Sequence, residues 1–390
     1  MSELMLNDIC ELIVDCPHTT AVDEGYGYPL VRTPNIGKGR LMYNGMHRVS
    51  EEVYNKRNFR AVPQEDDLIF AREATAGNVA LIQKGEKVCL GQRTVLLRPN
   101  KALVNPTFLT YFLLAPKQQY NLLCTANGAT VAHVNMSTIR NLKLVLPHLQ
   151  IQNKIGIILS RYDSLIENYQ KQIRLLEESA QRLYKEWFID LRFPGHENTK
   201  IVDGVPEGWE KKKLSDIANI IMGQSPKSEF YNSEKNGLPF HQGVGSYGFR
   251  FVVNNVYSTS FTRIAESNSI LFSVRAPVGR LNITKNKIVI GRGLAAINHK
   301  KGHQSFLYYL LKEKFFKDNI IGNGAIFASI SKEELYKQPF VIPSDEMIMR
   351  FDNIVNKIDK NIQYVDSQIR HLTEARDRLL PKLMSGEIEV

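Results

Sequence analysis

The chain has 390 residues, 43% of them hydrophobic and 23% charged, with a formal net charge of +10. That composition excludes a disordered chain, a collagen-like repeat and a low-complexity polymer, and the length calls for two or more globular units. No apolar run approaches the ~18–20 residues that span a bilayer, and Cys10, Cys16, Cys89 and Cys124 are scattered without a CxxC pair, so the expectation is a cytoplasmic protein with no membrane partner.

In chain order, the acidic opening MSELMLNDICELIVDC has no basic region ahead of an apolar core and does not read as a signal peptide. Residues 1–147 read as a mixed α/β unit, with a strand-like run Lys87–Leu97 and a short helix over Asn105–Leu114. Residues 148–192 then read as one long helix. Ile155, Leu159, Tyr162, Ile166, Tyr169, Ile173, Leu176, Ala180, Leu183 and Trp187 fall at alternating spacings of four and three, the seam of a coiled coil. A Pro/Gly-rich linker follows over 193–210, flanked by Trp187 and Trp209, which read as packing anchors. Residues 211–343 form a second mixed unit, with a strand Asn286–Ile290, a helix over Gln304–Phe316, and a capping box Ser331-Lys-Glu-Glu334 that opens a further helix. Residues 344–390 form the second long helix. Its seam is Phe351, Val355, Ile358, Ile362, Val365, Ile369, Leu372, Arg376, Leu379 and Leu383. Of the twenty seam positions only Arg376 is not apolar, and no Pro or Gly occupies a seam position.

The second half repeats the first. Leu146-Pro147 recurs as Ile342-Pro343, Asp163 as Asp359, Gln172-Ile173-Arg174 as Gln368-Ile369-Arg370, and Asn127-Gly128-Ala129 as Asn323-Gly324-Ala325, all offset by 196 residues. Upstream the offset drifts to 200 at Gly91 and Gly291, 202 at Gly77 and Gly279, and 208 at Asp8-Ile9 and Asp216-Ile217. A fixed offset marks parts that tolerate no insertion, and a drifting one marks variable globular units. The fold class is therefore α+β, with two mixed α/β domains alternating with two long helices that most simply pair with each other.

The basic excess lies chiefly in 201–340, which carries 19 basic and 11 acidic side chains, whereas 341–390 carries 7 and 9. Such an excess on a globular unit fits a nucleic-acid partner. Candidate contacts sit on Gly-containing turns at matching places in the repeat: Arg72 and Arg275, Gln92-Arg93 and Arg292, with Arg280 beside the second turn. Arg32, Lys38, Arg40, Gln242 and Arg250 lie in less regular loops. Arginine can reach guanine O6/N7 or phosphate, and glutamine can reach adenine N6/N7. The same residues also read as solvated turn side chains or partners of nearby carboxylates.

No active site assembles. Gly243-Val-Gly-Ser-Tyr-Gly248 matches GxGxxG, but a strand pattern follows it where a dinucleotide site needs a helix. His299 and His303 flank Lys-Lys-Gly and read as a solvated turn rather than a metal site. The Walker, G-x-S-x-G and HExxH motifs and the Asn/Asp-Pro-Pro-aromatic run of amino-group DNA methyltransferases are all missing. A coiled-coil scaffold with protein-binding globular ends remains the alternative to a DNA-binding protein.

The runs Lys185-Glu-Trp-Phe-Ile-Asp-Leu-Arg-Phe-Pro-Gly195, Val205-Pro-Glu-Gly-Trp-Glu210, Ser273-Val-Arg-Ala-Pro-Val-Gly279, Gly291-Arg-Gly-Leu-Ala-Ala-Ile297 and Leu379-Leu-Pro-Lys-Leu-Met-Ser-Gly-Glu-Ile388 carry a resemblance. Over nearly its whole length the chain resembles the specificity subunit of type I restriction–modification systems. The resemblance implies two target recognition domains, each reading half of a bipartite DNA site, and an antiparallel coiled coil formed by the conserved helices. It implies two DNA methyltransferase subunits that modify adenine with S-adenosylmethionine, restriction/translocase subunits that join them, and no cofactor or catalysis of this chain's own. About 35 residues of helix span roughly 50 Å, more than one turn of B-DNA at about 34 Å, so such a coil can hold two recognition domains apart.

Overall fold

The computed structural model describes residues 3–43, 45–124, 133–315 and 329–390. The repeated Asn127-Gly128-Ala129 and Asn323-Gly324-Ala325 lie outside them. Helix and strand are mixed, with two helices of 40 and 41 residues. The chain divides into two compact units, Met1–Gln170 with Asp366–Val390, and Lys171–Val365. Each unit thus holds one globular domain and one half of each long helix.

In the first unit β1 (Cys10–Asp15), β6 (Thr94–Pro99), β3 (Leu68–Ala71) and β4 (Val79–Leu81) form an antiparallel sheet in that spatial order. A smaller sheet pairs β2 (Tyr28–Val31) in parallel with β5 (Cys89–Leu90). Leu-Ile-Phe-Ala in β3 is buried on both faces, as its unbroken apolar run requires. The predicted single strand over Lys87–Leu97 is in fact two, because Gly91-Gln92-Arg93 turns the chain and Arg93 takes a left-handed φ of 64°. Helix α1 (Pro106–Leu114) starts at Asn105, whose side chain accepts from the Phe108 amide, with Pro106 in the first turn. Ile155 and Leu159 of helix α2 (Leu149–Phe188) join Phe70, Val95, Leu109 and Leu383 in one apolar core.

The second unit repeats the plan. Strands β7 (Ala218–Met222), β12 (Leu294–His299), β9 (Ile270–Ser273) and β10 (Leu281–Ile283) form the antiparallel sheet, and β8 (Leu238–His241) runs parallel to β11 (Ile288–Ile290). Phe272 pairs with Ala295 where Phe70 pairs with Val95. Helix α3 (Gln304–Phe315) follows, and the Ser331 capping box opens the short helix Lys332–Tyr336. Helix α4 is Asp345–Ser385. Here the helix halves meet the domain through aromatic rings. Phe351 lies 5.1 Å from Phe188, 5.8 Å from Tyr184, 5.9 Å from Trp187 and 6.3 Å from Phe306, ring centroid to ring centroid. Trp209 packs on Phe188 and Phe193, and the linker carries a small hairpin, Ile201–Val202 against Val205–Pro206.

None of the twenty seam positions is exposed, Arg376 included. His299 is also buried rather than solvated. Its Nδ1 accepts from the Lys301 amide at 3.2 Å, and burial, followed by the charges of His303 and Lys301, lowers its pKa to about 4. Among the described residues no group of His, Cys, Asp or Glu forms a metal site, and no helix is long and apolar enough to cross a membrane.

Candidate nucleic-acid interface

In each unit the strand ends bring three turns together. The Gly91 amide donates to Val31 O, and the Gly291 amide to His241 O, both at 2.8 Å. These bonds set the turn after β5 against the end of β2, and the turn after β11 against the end of β8. The Arg72 amide donates to Arg93 O, and the Val274 amide to Gly293 O, both at 2.9 Å. They close the third turn, which follows β3 or β9. Glycine is needed at the crossing, since a Cβ on Gly91 would lie 2.6 Å from Val31 O and one on Gly291 3.0 Å from Gln242 Cα.

These bonds fix which residues correspond. Arg32 matches Gln242, Gln92 matches Arg292, Arg93 matches Gly293, and Arg72 matches the buried Val274. The expected pairing of Arg72 with Arg275 is therefore off by one residue, and the counterpart of Arg275 is Glu73.

In the second unit Gln242, Arg275 and Arg292 line one cleft of about 210 Å³ with Gly243, Val244, Ser273, Ala276 and Gly293. Arg275 and Arg292 are exposed. Ser225 links the other two turns, since its hydroxyl donates to Gln242 Oε1 at 2.9 Å and accepts the Arg292 amide at 3.2 Å. His241 anchors the floor, with Nδ1 2.7 Å from Ser246 Oγ and Nε2 3.0 Å from Asn254 Oδ1. Burial lowers its pKa, which favours the neutral ring. The GxGxxG stretch is the loop that His241 holds, containing one 3-10 turn, Val244–Ser246. Arg280 is exposed, and its amide donates to Ser273 Oγ at 2.8 Å.

In the first unit the corresponding turns are internally neutralised. Glu73 lies 2.6 Å from Arg93 Nη1 and 2.6 Å from His133 Nδ1. Gln92 donates to His18 O at 2.8 Å and accepts from Thr20 at 3.0 Å. Arg32 donates to Gly45 O, Lys38 is exposed, and Arg40 Nε donates to Glu167 Oε1 at 2.8 Å.

Two arginines expected at the interface point inward. Arg72 is buried, donating through Nη1 to Asp15 at 2.8 Å and through Nε to Val134 O at 3.0 Å. Arg250 is 1% exposed and donates to Glu177 Oε1 at 2.9 Å and Asp359 Oδ1 at 2.7 Å, with its guanidinium 3.5 Å from the Tyr308 ring centroid. Burial opposes this charge, but Tyr308, Asp359, Tyr309 and Glu177 outweigh it and raise the pKa above the ordinary arginine value. Glu73, His133 and Ser225 carried no sequence signal, because each is marked only by what it touches in the folded chain.

Residues 2–178 and 206–367 match the family model described as the type I restriction modification DNA specificity domain. The chain belongs to that family. A putative type I restriction enzyme MjaX specificity subunit from Methanocaldococcus jannaschii is 31% identical, over 99% of this chain and 93% of that protein. The type I restriction enzyme MjaIX specificity subunit of the same organism is 26% identical over the same shares. The crystal structure of a type I restriction-modification S subunit from M. genitalium shares the fold at a TM-score of 0.54 and 17% identity, covering 98% of this chain and 95% of that one. The role of this chain is that of a type I DNA specificity subunit, a kind of subunit that is generally non-catalytic and works in a complex with DNA and the other restriction–modification subunits.

Proposed function

We propose that each globular domain reads one half of an asymmetric bipartite DNA site through its three-turn cleft. The observation that carries this is one backbone arrangement presented twice with different rim side chains: Gln242, Arg275 and Arg292 in the second domain, and Arg32, Glu73, Gln92 and Arg93 in the first. Arg275 and Arg292 suit guanine O6/N7 or phosphate, and Gln242 suits adenine N6/N7. Helices α2 and α4 pair as an antiparallel coiled coil that sets the spacing of the halves and docks two DNA methyltransferase subunits, which restriction/translocase subunits then join. S-adenosylmethionine belongs to the methyltransferase subunits, this chain performs no catalysis, and the complex works in the cytoplasm.

A heptad insertion tests this reading. Seven residues added near Leu176, with seam periodicity kept, preserve the apolar face and lengthen α2 by at most about 10 Å, roughly three base pairs at about 3.4 Å each. Modified adenines mapped before and after should show a spacer longer by about one to three base pairs and unchanged half-sites. Changed half-sites with a fixed spacer would transfer sequence reading to the helices.

A further inference from the structure

The 196-residue offset allows the junction between helix and domain to be compared in the two units, and two side chains have changed sides. In the second unit the half-buried carboxylates of α2 and α4, Glu177 and Asp359, both pair with Arg250 from the globular domain, and Lys312 of the same domain lies 3.8 Å from Glu177. Asp359 repeats Asp163. In the first unit the cation on Asp163 is Arg376, supplied by the long helix α4, with Nη1 2.5 Å from Asp163 Oδ1. The domain position equivalent to Arg250 is Gly39, because Leu81 donates to Gly39 O as Ile283 donates to Arg250 O. A Cβ on Gly39 would already lie 3.0 Å from Asp163 Oδ2. The helix position equivalent to Arg376 is Ala180, which is fully buried.

The second change concerns the first turn of the domain's helix. The Phe108 amide is capped by Asn105 of the domain at 2.8 Å, and Gly156 on α2 leaves the room: a Cβ there would lie 3.2 Å from Asn105 Oδ1. The Phe306 amide is capped from the other side, by Asp352 of α4 at 3.0 Å. Asp352 repeats Gly156, and Asn105 corresponds to His303. In the first exchange the partner that supplies no cation carries a small residue, Gly39 or Ala180; in the second, Gly156 makes room for Asn105, whereas His303 keeps its ring beside Asp352, with Nδ1 3.7 Å from Asp352 Oδ2.

We propose that these two reciprocal exchanges fit each globular domain to its own helix halves and exclude it from the other position, with Arg250, Asp352, Arg376 and Asn105 as positioning residues. The second domain placed on the first helix halves brings Arg250 and Arg376 to one carboxylate. The first domain placed on the second halves leaves Glu177 and Asp359, half-buried side by side, without the cation that Arg250 supplies, which is destabilising. The consequence for DNA rests on the half-site reading above; the fit itself does not.

The test is a pair of double-mutant cycles in the full-length chain, followed by thermal unfolding: Arg250→Gly with Ala180→Arg, and Asp352→Gly with His303→Asn. Each double variant rewrites the second junction in the pattern of the first. Arg250→Gly and Ala180→Arg should each lower Tm by roughly 10 °C, and the double variant should recover more than half of that loss. The second cycle should show the same recovery at smaller amplitude. With methyltransferase subunits added, adenine modification lost in the single variants should return in the doubles. Doubles that melt as the sum of their singles in both cycles would overturn the proposal. Recovery in the melts, with a wild-type complex that modifies no bipartite site, would overturn the half-site reading and leave the fit standing.

Discussion

The two three-turn arrangements share their main-chain hydrogen bonds and differ at the rim. Glu73 sits between Arg93 and His133 in the first unit, whereas among the described residues no carboxylate pairs with Arg275 or Arg292 in the second. Main-chain hydrogen bonds between turns recur in both units, so rim side chains of different charge stand on one backbone arrangement. The junctions differ as well. The first packs aliphatic residues, Ile155 and Leu159 with Leu383, and the second packs a ring cluster around Phe351. The turn rims and the surfaces that meet the helices have both diverged, over sheets that have not.

Four measurements sharpen this comparison. Phe351→Ala should cost about 3–5 kcal/mol in the second unit, more than Ile155→Ala at the repeat-equivalent place, because Tyr184, Trp187, Phe188, Phe306 and Tyr309 lose their common neighbour; urea unfolding of both variants ranks them. Acid should also separate the units. His299 has a pKa of about 4 in the folded chain, against about 6.5 unfolded, so the unfolded chain takes up its proton first as pH falls. Stability that is complete above pH 6.5 is lost between 6.5 and 4, by about 3 kcal/mol, and the lowered pKa of His241 adds to it. His299→Gln should flatten that slope in pH-dependent melts. Arg275→Ala should weaken binding by about 1–3 kcal/mol and relax discrimination in one half-site only. Equal loss on all sequences, with a shallower salt dependence, would make it a phosphate contact. Ser331→Ala, which removes the hydroxyl that caps the Glu334 amide, should cost about 1 kcal/mol, visible as earlier hydrogen exchange over Lys332–Tyr336.

Much of this architecture was legible in the sequence because it is periodic. The seam spacing holds over both long helices, and the single polar exception, Arg376, sits where a buried aspartate needs a cation. What stayed hidden depends on distant partners. A basic residue in a loop reads alike whether it faces solvent or carboxylates, and the acids that claim Arg250 lie 73 and 109 residues away. Arg72 is hidden likewise, with Asp15 57 residues distant. The pairing of Arg275 with Glu73 escaped because a one-residue slip at a turn leaves the motif intact and moves every side chain beyond it. The strand run Lys87–Leu97 misled for a related reason: its glycine marks a crossing of backbones, which alternation of residue types does not reveal.

Each domain begins and ends in one short ladder, Leu4 paired with Leu144 in the first and Lys212 with Phe340 in the second. Entry and exit are therefore side by side, and whatever happens between them forms a closed excursion. The first excursion is twelve residues longer than the second, yet both deliver the chain to its long helix at the same phase of the repeat. The ladders act as a clutch between a part free to lengthen, shorten and change its surface and a shaft whose rotation must not shift by a single residue. A loop can grow in either domain without turning any apolar residue of α2 or α4 toward water.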